Sequence, residues 1–124
     1  MKYLLDSNII IALTMNADAG VVRRAGECFD GDIVTSAVAM AEVALGSVRG
    51  KPPGFVQLQA FLEEVPVLPF DIAAARAYAT IPFKRRSFDR LIAAQALSQN
   101  LIMVTDNEKD FHDIPGLKVE NWTQ

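Results

Sequence analysis

One cysteine, Cys28, and one histidine, His112, stand in the 124 residues. A lone cysteine excludes an internal disulfide, and the pair is too few for the Cys/His spacing of a structural zinc site. A single histidine excludes any mechanism that needs two, and His112 is expected at the surface. No apolar run approaches the length of a membrane span. Only three uncharged residues separate Lys2 from Asp6, so the opening residues lack the apolar region of a signal peptide, and the expected location is the cytoplasm. Internal repeats and low-complexity segments are absent. Positive charge is scarce as well: 12 Lys and Arg against 15 Asp and Glu give a net charge of -3, which on its own disfavours a nucleic-acid partner.

What the chain has is apolar material, 51% of its residues, enough for one compact domain spanning 1–124. Short β-rich runs alternate with helical patterns, which predicts an α/β fold with a central, mainly parallel sheet covered by helices. The expected strands are Lys2 to Asp6, Asp32 to Thr35, Val65 to Pro69, Leu101 to Thr105 and Leu117 to Glu120. Helical spacing appears in Val21, Ala25 and Phe29, in Val38, Ala41, Leu45 and Val48, and in Leu58, Phe61, Leu62 and Val65. Further helices are expected over Ile72 to Ala79 and Phe88 to Gln99, and the loop Gly50-Lys51-Pro52-Pro53-Gly54 joins two helices.

Four acids stand in apolar company. Asp6 ends the run Tyr3-Leu4-Leu5, Asp106 follows the Leu101 to Thr105 strand, Asp89 sits in a first helical turn that Ser87 can cap, and Glu42 shares a helix face with Val38 and Leu45. In an open α/β sheet, ligands gather beyond the carboxyl ends of the strands, where Asp6 and Asp106 fall. Each acid also has a purely structural explanation: Asp6 as a helix cap, Asp89 as an answer to the helix dipole, Glu42 as a salt-bridge partner, Asp106-Asn107 as a turn. Taken together they favour one shared site, because crowded carboxylates repel unless a cation or protons sit among them, and hard cations such as Mg2+ take oxygen ligands. Setting those four acids aside leaves 11 against 12 cations, so local basic clusters matter more than net charge.

The segments Leu4-Leu5-Asp6-Ser7-Asn8-Ile9, Ala41-Glu42-Val43, Phe88-Asp89-Arg90-Leu91-Ile92-Ala93-Ala94-Gln95-Ala96 and Val104-Thr105-Asp106-Asn107 with Asp110-Phe111, in that order and spacing, resemble a PIN-domain ribonuclease of the VapC type. The likeness runs on through Pro115-Gly116-Leu117 and Glu120-Asn121-Trp122. It implies a three-layer α/β/α sandwich, a toxin of a type II toxin-antitoxin pair, Mg2+ or Mn2+ dependence, a cognate antitoxin, an RNA substrate and a homodimer. It also implies that Asp6, Glu42 and Asp89 hold metal. The fourth position departs from the family pattern: the last acid usually comes two residues after the Thr, where this chain has Asn107, so Asp106, Asn107 and Asp110 all remain candidates.

The chemistry that follows is metal-assisted hydrolysis of phosphodiesters, with the carboxylates as ligands and water-positioners. Ser7, Asn8, Thr105 and Asn107 are candidates to orient those ligands, or are caps. Lys84-Arg85-Arg86, the densest basic cluster, either binds RNA phosphates or is a solvated loop, with Arg90 and Arg49 as possible members. Trp122 is expected to anchor the C-terminal tail. Two alternatives remain beside the nuclease. One is a binding module of the same fold without catalysis; the other is an Asp-dependent phosphoryl-transfer enzyme, disfavoured because Asn8 stands where a second Asp is wanted.

Overall fold

The computed structural model describes all residues, 1–124. Five strands, β1 (Tyr3–Leu5), β2 (Ile33–Ser36), β3 (Val67–Leu68), β4 (Ile102–Val104) and β5 (Lys118–Glu120), form one sheet in the order β3-β2-β1-β4-β5. Every pairing is parallel. Six helices connect them: α1 (Ser7–Thr14), α2 (Ala19–Gly26), α3 (Ala37–Val48), α4 (Phe55–Glu64), α5 (Ile72–Thr80) and α6 (Phe88–Ser98). Tyr3, Leu4 and Leu5 are all buried although successive residues face opposite sides, so both faces of the sheet are covered and the α/β/α sandwich is borne out.

Local chemistry explains the helix starts. Asp6, Asp18, Asp71 and Ser87 each accept a hydrogen bond from the backbone N–H three residues on, and Ser36 accepts from Val38 and Ala39. Asp6 therefore caps α1 directly after β1. Four of the expected strands shorten at their ends, and the second shifts by one residue to Ile33–Ser36. Val65 closes α4, donating its backbone N–H to Phe61, and leaves β3 only two residues. Phe29 lies beyond α2 and is 82% exposed, since the chain leaves the helix at Gly26.

The stripe expected on α3 is corrected. The buried residues are Ala39, Val43 and Ser47, whereas Leu45 is 51% and Val48 71% exposed. Nearly every side chain of α3 is small or apolar, so spacing alone does not select the inner face; packing against α1 and α6 does. The Gly50–Gly54 segment joins α3 to α4 as expected, tied back by the Ser47 hydroxyl donating to the Pro53 carbonyl at 2.6 Å. Trp122 is buried edge-on against Tyr3, with ring centroids 5.0 Å apart, and its indole N–H donates to Glu120. It anchors the tail.

Candidate metal centre and nucleic-acid interface

The strand order reverses at β1. From there the chain builds outward through β2 and β3 on one side, then returns to lay β4 and β5 on the other. The connections diverge at the carboxyl ends of β1 and β4, the place where open α/β sheets bind their ligands. Leu5 is in register with Val104, so Asp6 and Thr105 stand side by side there, and the Asp6 N–H donates to the Val104 carbonyl at 3.1 Å.

Asp6 is only 4% exposed, and its carboxyl is pushed up from the ordinary 3.8 to about 6. Burial is the main cause. Hydrogen bonds from the Thr105 hydroxyl and the Ile9 N–H pull the other way, while the negative charges of Asp106 and Asp89 add to the rise. Asp89, in the first turn of α6, is also raised, by burial and then by Asp110, against a smaller opposing pull from Arg85 and with a further rise from Asp106. Glu42 is raised by burial and then by Asp89, with Ser7 lowering it. Its Oε1 is buried without a hydrogen-bond partner. Asp6, just after β1, thus lies in the fields of Asp89 on α6 and Asp106 after β4, and Glu42 on α3 lies in the field of Asp89.

The surroundings are polar in a definite way. Asn8 reaches Asp106 through a long hydrogen bond of 3.5 Å. The Asn107 N–H donates to the Thr105 hydroxyl, closing the tight turn after β4, and the Asn107 side-chain amide donates to Asp110 at 2.6 Å. Asp110 also takes Arg85 at 3.2 Å. Of the three candidates for the fourth position, Asp106 therefore faces Asp6 and Asp89, and Asp110 faces Asp89 while engaged by Arg85 and Asn107. Asn107 supports Asp110.

These residues fit a hard divalent cation in kind. The donors are all oxygens, one buried carboxylate oxygen lacks any partner, and each of the three acids is held above the ordinary range at a cost that positive charge would remove. As the side chains stand, no three Asp, Glu, His or Cys groups converge tightly enough to hold one ion.

The basic cluster divides. Lys84, Arg85 and Arg86 are exposed on the segment that leads into α6, beside Asp89. Arg90 does not join them: it is 4% exposed, and its guanidinium forks onto both oxygens of Asp113 at 2.9 Å while donating to the Pro82 and Asp110 carbonyls. This clasp holds the 82–87 segment and the 3-10 turn Glu108–Phe111 against α6, and so sets where Arg85 and Asp110 meet Asp89. Sequence reasoning missed it; the only signal is a cation among the apolar residues of α6. Gln95 was missed likewise. Buried in α6, it donates to the Leu68 and Pro69 carbonyls and ties α6 to the end of β3. His112 is exposed, as expected.

Comparison with known proteins agrees with this fold. A PIN domain family model matches residues 3–117. The chain is 31% identical over 132 positions to the tRNA(fMet)-specific endonuclease VapC of Shigella flexneri, covering 99% of both chains. It is 26% identical over 131 positions to Ribonuclease VapC2 of Haemophilus influenzae, covering 98% of both. Its fold is similar to that in VapBC2 from Rickettsia felis bound to a promoter DNA fragment, with a TM-score of 0.87 at 25% identity over 98% of this chain and 99% of that one. It is also similar to that in VapBC-1 from nontypeable Haemophilus influenzae, with a TM-score of 0.80 at 29% identity over the full length of both.

Proposed function

Because the chain belongs to the PIN-domain family, and within it to the VapC proteins, we propose that it is a Mg2+-dependent endoribonuclease, Mn2+ serving as a substitute, and the toxin of a type II toxin-antitoxin pair. The observation that supports this reading is that Asp6 and Glu42, from distant segments, are each raised by burial and by the field of Asp89. Asp6, Glu42, Asp89 and Asp106 would hold the cation. The chemistry supplied by a divalent ion at such a site is a lowered pKa for water and screened charge on the reacting phosphate. The Asp6 carboxyl is oriented by Ile9 and Thr105, and Asp106 by Asn8, so the chain orients these two acids before substrate arrives. Lys84, Arg85 and Arg86 draw RNA phosphates toward Asp89. Water adds at phosphorus and the bond from phosphorus to the 3′ oxygen breaks, leaving a 5′-phosphate and a 3′-hydroxyl.

A cavity of about 530 Å3 between α1, α2 and α4, lined by Leu13, Val22, Ala25, Ala60, Phe61 and Val65 among others, offers an apolar face for an antitoxin segment. An Arg of that segment reaching the carboxylates would silence the cleft. A second apolar face, with Phe83 and Phe88 exposed, suits a homodimer. No helix is long and apolar enough to cross a membrane, and the activity proposed belongs in the cytoplasm, where RNA is met.

The test is to incubate the protein with total RNA in Mg2+, Mn2+ or chelator, beside Asp6→Asn and Asp89→Asn, and to map the cut ends. Cuts that require metal and both acids support the proposal. Native-rate cutting by either variant refutes the site, and no cutting by the wild type leaves a binding module.

A further inference from the structure

A cavity of about 270 Å3 is lined by Ser7, Asn8, Glu42, Arg49, Lys51 and Pro52 among others, and not by Asp89. It shares Glu42 with the proposed site, and Ser7 and Asn8 of its wall directly follow Asp6. Neither Arg49 nor Lys51 takes part in any of the four ion pairs of the chain, and neither side chain makes a hydrogen bond. Their backbone is nonetheless held. Arg49 closes α3, Gly50 reverses the chain at φ +82, the Lys51 N–H returns to the Gly46 carbonyl at 2.8 Å, and Ser47 clamps Pro53. Two free cations on an anchored loop thus border a hole that Glu42 also lines.

We propose that this cavity is a second phosphate subsite, in which Arg49 and Lys51 hold a phosphate of single-stranded RNA flanking the one that is cut. The inference rests on the ribonuclease reading and extends it. A polyanion crosses a cluster of carboxylates only where cations flank the crossing on both sides. Lys84, Arg85 and Arg86 provide one flank beside Asp89; Arg49 and Lys51 provide the other beside Glu42. The substrate is then a strand laid across the cleft, gripped on each side of the reacting phosphate, and not a mononucleotide or a free end. Cations at the carboxyl end of α3 also offset the helix dipole, a role that would show in melting temperature and not in RNA affinity.

The test measures binding apart from cleavage. A fluorescein-labelled RNA of about a dozen nucleotides is titrated with the full chain carrying Asp6→Asn, which leaves the strand intact, over a range of salt. Adding Arg49→Gln with Lys51→Gln should raise Kd roughly tenfold and flatten the slope of log Kd against log salt by about 0.7, the value of one lost single-strand phosphate contact. Adding Lys2→Gln with Lys118→Gln instead removes the same charge at the amino ends of β1 and β5, across the sheet from the site, and should change Kd less than about twofold. Equal losses in the two pairs, or no loss in the first, overturn the subsite. Cleavage by the wild-type acids is scored separately: binding through Arg49 and Lys51 without any cutting in Mg2+ supports the subsite and overturns the ribonuclease reading.

Discussion

Replacing Asp6 by Asn should make the metal-free protein more stable, not less, and the size of the gain follows from the cleft. A carboxyl moved from 3.8 to about 6 by burial costs the folded state about 3 kcal/mol once it is ionised. The sign is that of a raised group: the folded state suffers no penalty below pH 3.8, the penalty grows as pH climbs toward 6, and it is complete above that value. Asn keeps the shape and still accepts the Ile9 N–H as a cap, whereas Ala loses that cap and with it about 1 kcal/mol. At pH 7.5 without metal, Asp6→Asn should therefore melt on the order of 10 °C above the wild type, with Asp6→Ala in between, and at pH 4 the difference should vanish. Scanning calorimetry at the two pH values in chelator measures this directly. Added Mg2+ should then raise the wild-type melting temperature far more than that of Asp6→Asn, because the ion is expected to bind where the charge is. An Asp6→Asn protein less stable than wild type at pH 7.5, or offset equally at both pH values, would refute the claim that burial among like charges strains this carboxyl.

Asp89→Asn should lower RNA cleavage at least a hundredfold, since even the outer partners of metal ligands cost ten to a hundredfold; single-turnover rates in Mg2+ check it. Asp106→Asn should weaken Mg2+ affinity measured by titration calorimetry more than Asp110→Asn, because Asp106 faces Asp6 while Asp110 is engaged by Arg85 and Asn107. Arg90→Ala should speed tryptic cleavage at Lys84 to Arg86 roughly tenfold by freeing the clasped segment, and Arg90→Lys should rescue little, because an ammonium lacks the fork that holds Asp113. Ala60→Arg, exposed on the wall of the α1, α2 and α4 groove, should prevent co-purification with the antitoxin while RNA cleavage persists.

The acids illustrate what sequence reading reached. Asp6 and Asp89 were legible because each stands where a strand ends or a capped helix begins, and such places are marked by neighbours within a few residues. Glu42 was found through its apolar company, although the stripe proposed for α3 was wrong, since Leu45 and Val48 turn outward. That α3 is apolar nearly all round left its orientation to its neighbours. The Arg90 clasp was not legible, because its partners Pro82, Asp110 and Asp113 lie 8 to 23 positions away and carry no pattern of their own.

The sequence by itself determined the alternation of strands and helices, the caps, and the identity of the acids, all of which depend on short-range periodicity and on side chains bonding to backbone three residues on. Only the tertiary structure decided the order β3-β2-β1-β4-β5. That order sets β1 beside β4, which brings Asp6 next to Thr105 and into the field of Asp106. Which distant strands lie side by side is settled by the packing of whole layers, and no local pattern encodes it.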